Sequence, residues 1–192
     1  MSAATGRRRG GWVGWLATLA IAWWGALALA AEFTISKAAA RLHDGTYVVD
    51  ATIGYTFSPA VLEALENGVP LTVELHLQVR REGAWVWEPD VVDSRLRSQI
   101  RFSPLLGTYQ VTNVETGQHR SYASRDRAIS ALGEVKDLTV VRADALDPDE
   151  TYRVEMRATL DIESLPLPLR PKAYLSPDWN LSSEWNRWRL RP

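Results

Sequence analysis

Between residues 70 and 80 the chain sets Leu71, Val73, Leu75, Leu77 and Val79 on one parity and Thr72, Glu74, His76, Gln78 and Arg80 on the other. Apolar side chains that recur at every second position can share one face only in an extended strand, because a helix would scatter them around its circumference. The same alternation runs from Gly45 to Phe57, where Tyr47, Val49, Ala51, Ile53, Tyr55 and Phe57 oppose Asp50, Thr52 and Thr56. It returns where Ser94, Leu96, Ser98, Ile100 and Phe102 oppose Asp93, Arg95, Arg97, Gln99 and Arg101, a strand with a strongly basic outer face. The last long stretch, Thr151 to Ile162, carries Tyr152, Val154, Met156, Ala158, Leu160 and Ile162 on its apolar side. Strands that face a core on one side and water on the other pair antiparallel.

Shorter signals fill the intervals. Residues 108–114 turn at Glu115-Thr116-Gly117 into 119–123, which reads as a hairpin, and 137–141 adds another strand. Ser58-Pro59 opens a short helix with Val61, Leu62 and Leu65 as its apolar stripe, stopped by Asn67-Gly68. A second short helix is expected after Ser124 through Ala128, Ile129 and Leu132, stopped by Gly133. Neither is long enough for a crossover between parallel strands. The expected fold is therefore mainly β, an antiparallel β-sandwich immunoglobulin-like in outline with two short helices, with a partly closed β-barrel as the alternative.

The first thirty residues follow different rules. Arg7-Arg8-Arg9 precedes an uncharged stretch from Gly10 to Ala31 that closes with Ala28-Leu29-Ala30. A basic start, an apolar middle and a small-residue end make a secretory signal, with cleavage expected after Ala30. The alternative is an uncleaved membrane anchor over residues 12–30, with Trp12, Trp15, Trp23 and Trp24 at its interfaces. Either way the arginines stay inside and the domain of residues 31–192 lies across the inner membrane, in the periplasm. Gly10-Gly11-Trp12 departs from the usual continuation of a twin-arginine signal.

A single domain near 160 residues buries about 70% of its unfolded surface, enough for its own core. Setting aside residues 1–30 leaves 19 basic against 23 acidic side chains, a net charge of −4 that disfavours nucleic acid as a partner. The chain has no cysteine, so disulfides, thiolate metal sites and cysteine nucleophiles are all excluded.

Several short strings add a likeness. They are Asp44-Gly45-x-Tyr47, Ser58-Pro59, Glu63-Ala64-Leu65-x-Asn67-Gly68-Val69-Pro70-Leu71, Tyr109-Gln110-Val111, Leu165-Pro166-Leu167-Pro168-Leu169-Arg170 and Trp179-x-Leu181-x-Ser183-x-Trp185. In this order, behind a signal segment, they resemble the proteobacterial domain-of-unknown-function 4390 family over nearly the whole exported part. The resemblance implies export and carries over no reaction, cofactor or catalytic residue. Gene adjacency in that family points, by association only, to a membrane sensor kinase.

His43, His76 and His119 show no metal-ligand spacing, and no nucleophile elbow, Walker loop or dinucleotide turn occurs. Asp147-Pro148-Asp149-Glu150 gathers three carboxylates but reads first as an exposed turn. Nine tryptophans are the compositional outlier. Trp85 and Trp87 are expected at a strand end, in the core or at its rim. The candidate interaction surface is the tail: Arg170, Trp179, Trp185 and Trp188, with Lys172, Arg187, Arg189 and Arg191 interspersed after Pro166, Pro168 and Pro171. A structural reading competes with it, in which the tail is a last strand that closes the sandwich over its own rings.

The expected function is that of an exported envelope protein, a non-catalytic module that binds a protein partner and is accessory to a membrane sensor kinase or an envelope assembly. Carbohydrate or cell-wall binding through Trp179, Trp185 and Trp188 is the alternative. A hydrolase built on carboxylates brought together in space is the third reading. No cofactor or metal is expected, and the membrane is expected to be met only through residues 12–30 if they are retained.

Overall fold

The computed structural model describes residues 32–85 and 87–190. The signal or anchor segment, its tryptophans and the cleavage after Ala30 lie outside the described residues. In chain order the elements are β1 (Phe33–His43), β2 (Thr46–Tyr55), α1 (Pro59–Glu66), β3 (Leu71–Arg81), β4 (Val92–Ser103), β5 (Thr108–Asn113) and β6 (His119–Tyr122). They continue as α2 (Arg125–Leu132), β7 (Glu134–Arg142), β8 (Tyr152–Leu160), α3 (Arg170–Leu175) and β9 (Asn186–Arg189), with single 3-10 turns at Ala143–Ala145, Ile162–Ser164 and Pro177–Trp179. Among the described residues no helix is long and apolar enough to cross a membrane.

Two antiparallel sheets result, of three strands in the order β1-β2-β7 and of six in the order β6-β5-β4-β3-β8-β9. The inward parity of β2, Tyr47, Val49, Ala51, Ile53 and Tyr55, meets the inward parities of β3 and β8 in one continuous core. Phe33 stands edge-on to Tyr55 at 4.7 Å and to Phe57 at 5.5 Å, sealing one end. The arrangement is a sandwich, with no closed barrel among the described strands. Three strands cannot cover six, so the helices take over part of the cover. Val61 and Leu65 of α1, with Ala128 and Leu132 of α2, complete the core.

Local chemistry accounts for the boundaries. Ser58 caps α1 by accepting from the Val61 N–H at 3.2 Å, and Pro59 stands at its first turn. Asp44 and Gly45 both take positive φ, 47° and 71°, as a two-residue hairpin turn between β1 and β2 requires. Gly133, between α2 and β7, has no room for a side chain: a Cβ there would stand 1.9 Å from the Ile53 carbonyl oxygen.

Some expectations need correction. The described residues form three α-helices rather than two, because Arg170–Leu175 winds up behind the proline segment. Ser124 occupies the cap position of α2 without a side-chain cap bond. One strand, β1, has no counterpart among the expected ones, β9 is the last strand of the structural reading of the tail, and β7 begins at Glu134 rather than Asp137. Trp85 and Trp87 are neither core nor rim: they lie in the β3–β4 loop, 64% and 77% exposed, their rings stacked at 5.0 Å.

Candidate functional site

The inner surface of the six-stranded sheet continues past the reach of the three-stranded one. The register sets Ser98 opposite Asn113, Val111 opposite Arg120 and Tyr109 opposite Tyr122, so these side chains share one face across β4, β5 and β6. α2 crosses this face and buries Ala128 and Leu132. Its C-terminal end, Ala131 and Leu132, and the start of β7 at Glu134 form a second wall. Between the walls runs a groove of about 610 Å³, rimmed by Thr116, Gln118, His119 and Arg120.

The groove leads inward. Ser98, Asn113, Leu132 and Glu134 also line a smaller recess of about 190 Å³ between the sheets, otherwise walled by Ile53, Tyr55, Val73, Leu75, Leu96, Val135, Lys136 and Leu138. The outer part is polar and the inner part apolar. Tyr55 is among the residues of the inner recess, and burial alone pushes its phenol far above the ordinary value.

A polar clamp holds the surroundings. Tyr109 donates to Glu66 at 2.8 Å, and Arg125 reaches the same carboxylate at 3.3 Å, tying α1, β5 and α2 together. Desolvation, and then the Glu66 carboxylate, raise the Tyr109 phenol. Glu134 pairs with Lys136 at 2.7 Å. The groove is suited to hold a polar chain with an apolar protrusion.

The tail residues singled out from sequence do not come together as an exposed ledge. Trp179 is 4% exposed, buried beside α1 in the core. Trp188 is half-buried opposite Val154, and its indole N–H lies buried without a partner among the described residues. Trp185 is half-buried with its ring 5.3 Å from that of His76. Arg170 turns to the backbone and donates to the Leu165 carbonyl at 2.8 Å. Arg187 and Arg189 point to the other face of β9, toward Glu155 at 3.3 Å and Glu82 at 2.8 Å.

The remaining candidates are equally plain. His76 pairs with Asp93 at 2.7 Å, which with Gln78 holds that carboxyl below its usual range, while His43 and His119 are exposed. Asp147 closes an exposed turn by accepting from the Asp149 N–H at 3.0 Å. Among the described residues no group of three or more His, Asp or Glu is placed to hold a metal ion. The basic face of β4 is partly neutralised, Arg95 by Glu74 at 3.4 Å and Arg97 by Glu115 at 3.7 Å.

Sequence reasoning missed the groove because Asn113, Gln118 and Arg120 look like ordinary strand and turn polars. One signal was available: Ser94 and Ser98 interrupt the apolar parity of β4, leaving small polar side chains where a fully covered strand would carry branched ones.

A family model described as a domain of unknown function, DUF4390, matches residues 30–189. No curated protein and no solved structure matches the chain.

Proposed function

The chain belongs to the DUF4390 family, and from that premise we propose that it is a non-catalytic protein-binding module, exported to the cell envelope, that holds an extended segment of a partner protein in the groove between α2 and the β5–β6 hairpin. One observation carries the reading: a polar groove of about 610 Å³ opens through shared walls into an apolar recess of about 190 Å³. Protein interfaces concentrate their binding energy in a few anchors that fill such recesses, while a polar rim sets direction. Asn113, Gln118 and Arg120 supply donors and acceptors along the rim, and Tyr55 adds its side chain to the wall of the recess. The basic start and uncharged stretch of residues 7–31 support export. A sensor kinase or an envelope assembly is the kind of partner that compartment offers.

The test is site-specific photocrosslinking in the cell. A photoreactive residue at Gln118 is expected to give a discrete adduct with one envelope protein, absent when it replaces Arg95 on the opposite face of the sheet. Arg120→Glu, at the exposed rim, is expected to weaken that adduct about tenfold without altering the fold. Equal labelling from positions 118 and 95, or an adduct indifferent to Arg120→Glu, would sink the reading.

Carbohydrate binding is a second reading, moved from the tail to the β3–β4 loop. There the stacked, exposed indoles of Trp85 and Trp87 are the only tryptophan rings among the described residues that offer a free face of that size.

A further inference from the structure

One end of the sandwich is studded with exposed leucines. Leu105 and Leu106, at the tip of the β4–β5 turn, are 95% and 72% exposed, and Leu167, just before α3, and Leu175, its last residue, are 72% and 86% exposed. Tyr174 is exposed beside Leu175, and Arg101 and Lys172 add exposed cations. Single exposed leucines are ordinary, but several gathered at one end of a domain mark a contact surface.

These residues share that end by topology. β4 ends where β3 begins, with Ile100 opposite Leu71, and β8 ends there too, with Leu160 opposite Val73. α1 caps the end. A side chain on its terminal Gly68 would touch the Phe102 carbonyl oxygen at 3.5 Å and Pro104 at 3.8 Å, directly beside the leucine turn. The 3-10 turn that follows α3 neighbours α1 from the other side.

The N-terminal stretch joins the fold at the same place. Phe33 pairs with Tyr55 and packs on Phe57, just before α1, and the Glu32 carbonyl accepts from the Thr56 N–H at 3.2 Å. Upstream of Glu32 the sequence from Gly10 to Ala31 is uncharged and rich in Leu, Ala and Trp. A bilayer that receives such a segment would lie against the end from which it departs.

We propose that this end, through Leu105, Leu106, Leu167 and Leu175, rests on the surface of a phospholipid bilayer, with the leucines dipping into the headgroup boundary and Lys172 and Arg101 facing lipid phosphates. The surface is separate from the groove, so the fate of one reading does not decide the other. Tyr174, whose hydroxyl donates to Glu163 at 3.2 Å, has the amphipathic character common at membrane interfaces. The contact fixes how the domain stands: the groove opens along the side of the sandwich and the Trp85–Trp87 loop points away from the lipid.

The absence of cysteine makes the test direct. The full chain, carrying an environment-sensitive label at Leu106→Cys, Leu175→Cys or, as a control, Thr116→Cys, is placed in nanodiscs of phosphatidylethanolamine and phosphatidylglycerol containing nitroxide lipids. Labels at 106 and 175 are expected to be quenched at least about twofold more than at 116. Adding Leu105→Glu and Leu167→Glu, both exposed and so harmless to the fold, is expected to return the 175 label to the control level. Equal quenching at all three sites overturns the proposal. So does protection of the 106 and 175 labels that persists without lipid and follows protein concentration, since a second copy of the chain would then be the occupant.

Discussion

Tyr55 shows how one side chain can couple the core to the site. Its ring packs against Phe33 and Phe57, with centroids 4.7 and 5.9 Å away, while the same residue lines the recess. Burial raises the phenol above its ordinary value of 10.0, so the folded protein keeps a proton that the unfolded chain releases in alkali. Stability from this group is complete below the unfolded value and is lost as pH rises from there toward the folded one. Tyr55→Phe removes the proton. Its urea midpoint is expected to fall less than the parent's between about pH 9 and pH 11, with little difference at neutral pH. Parallel alkaline losses in both proteins would show that another group governs the transition. Glu155 tells a contrasting story, a carboxylate buried in β8 yet held by Arg153 at 2.6 Å and Arg187 at 3.3 Å, binding β9 to its neighbour.

At the level of elements, legibility followed parity. β3, β4 and β8 run without a register break, so their alternation predicted them within one to two residues. β1 does break: Lys37, at φ 52°, is a bulge that shifts the inward set from Phe33 and Ile35 to Ala38 and Ala40, and the alternation cancels itself. β7 is interrupted in the same way at Asp137, φ 49°, whose N–H bonds the Asp50 carboxylate at 2.8 Å. Arg41 ties both irregularities together by pairing with Asp50 and Asp137. The site was illegible for a related reason, since it is made by what the smaller sheet fails to cover, a quantity no single strand records. Gly133 is the tightest joint between elements, and Gly133→Ala would drive a methyl group into the Ile53 carbonyl. A loss of more than about 3 kcal/mol is expected by urea unfolding, because the obstacle is backbone and cannot swing aside. A loss under about 1 kcal/mol would mean that α2 and β7 can part freely.

On the scale of the whole molecule, the sheets are closed by residues far apart in sequence. The tail from Asp161 onward buries Leu165, Trp179, Leu181 and Leu190 and adds β9, which agrees with the structural reading of the tryptophan tail. A chain ending at Leu160 would therefore lack a wall of its core. It is expected to show no cooperative unfolding transition by circular dichroism, and a sharp transition would demote the tail to an appendage. Asn186 donates to the Ile35 carbonyl at 3.3 Å, so the first strand and the last meet along the seam where the two sheets approach. That seam joins residues 151 positions apart in sequence, so closing it costs loop entropy that the sheets paired in between must offset.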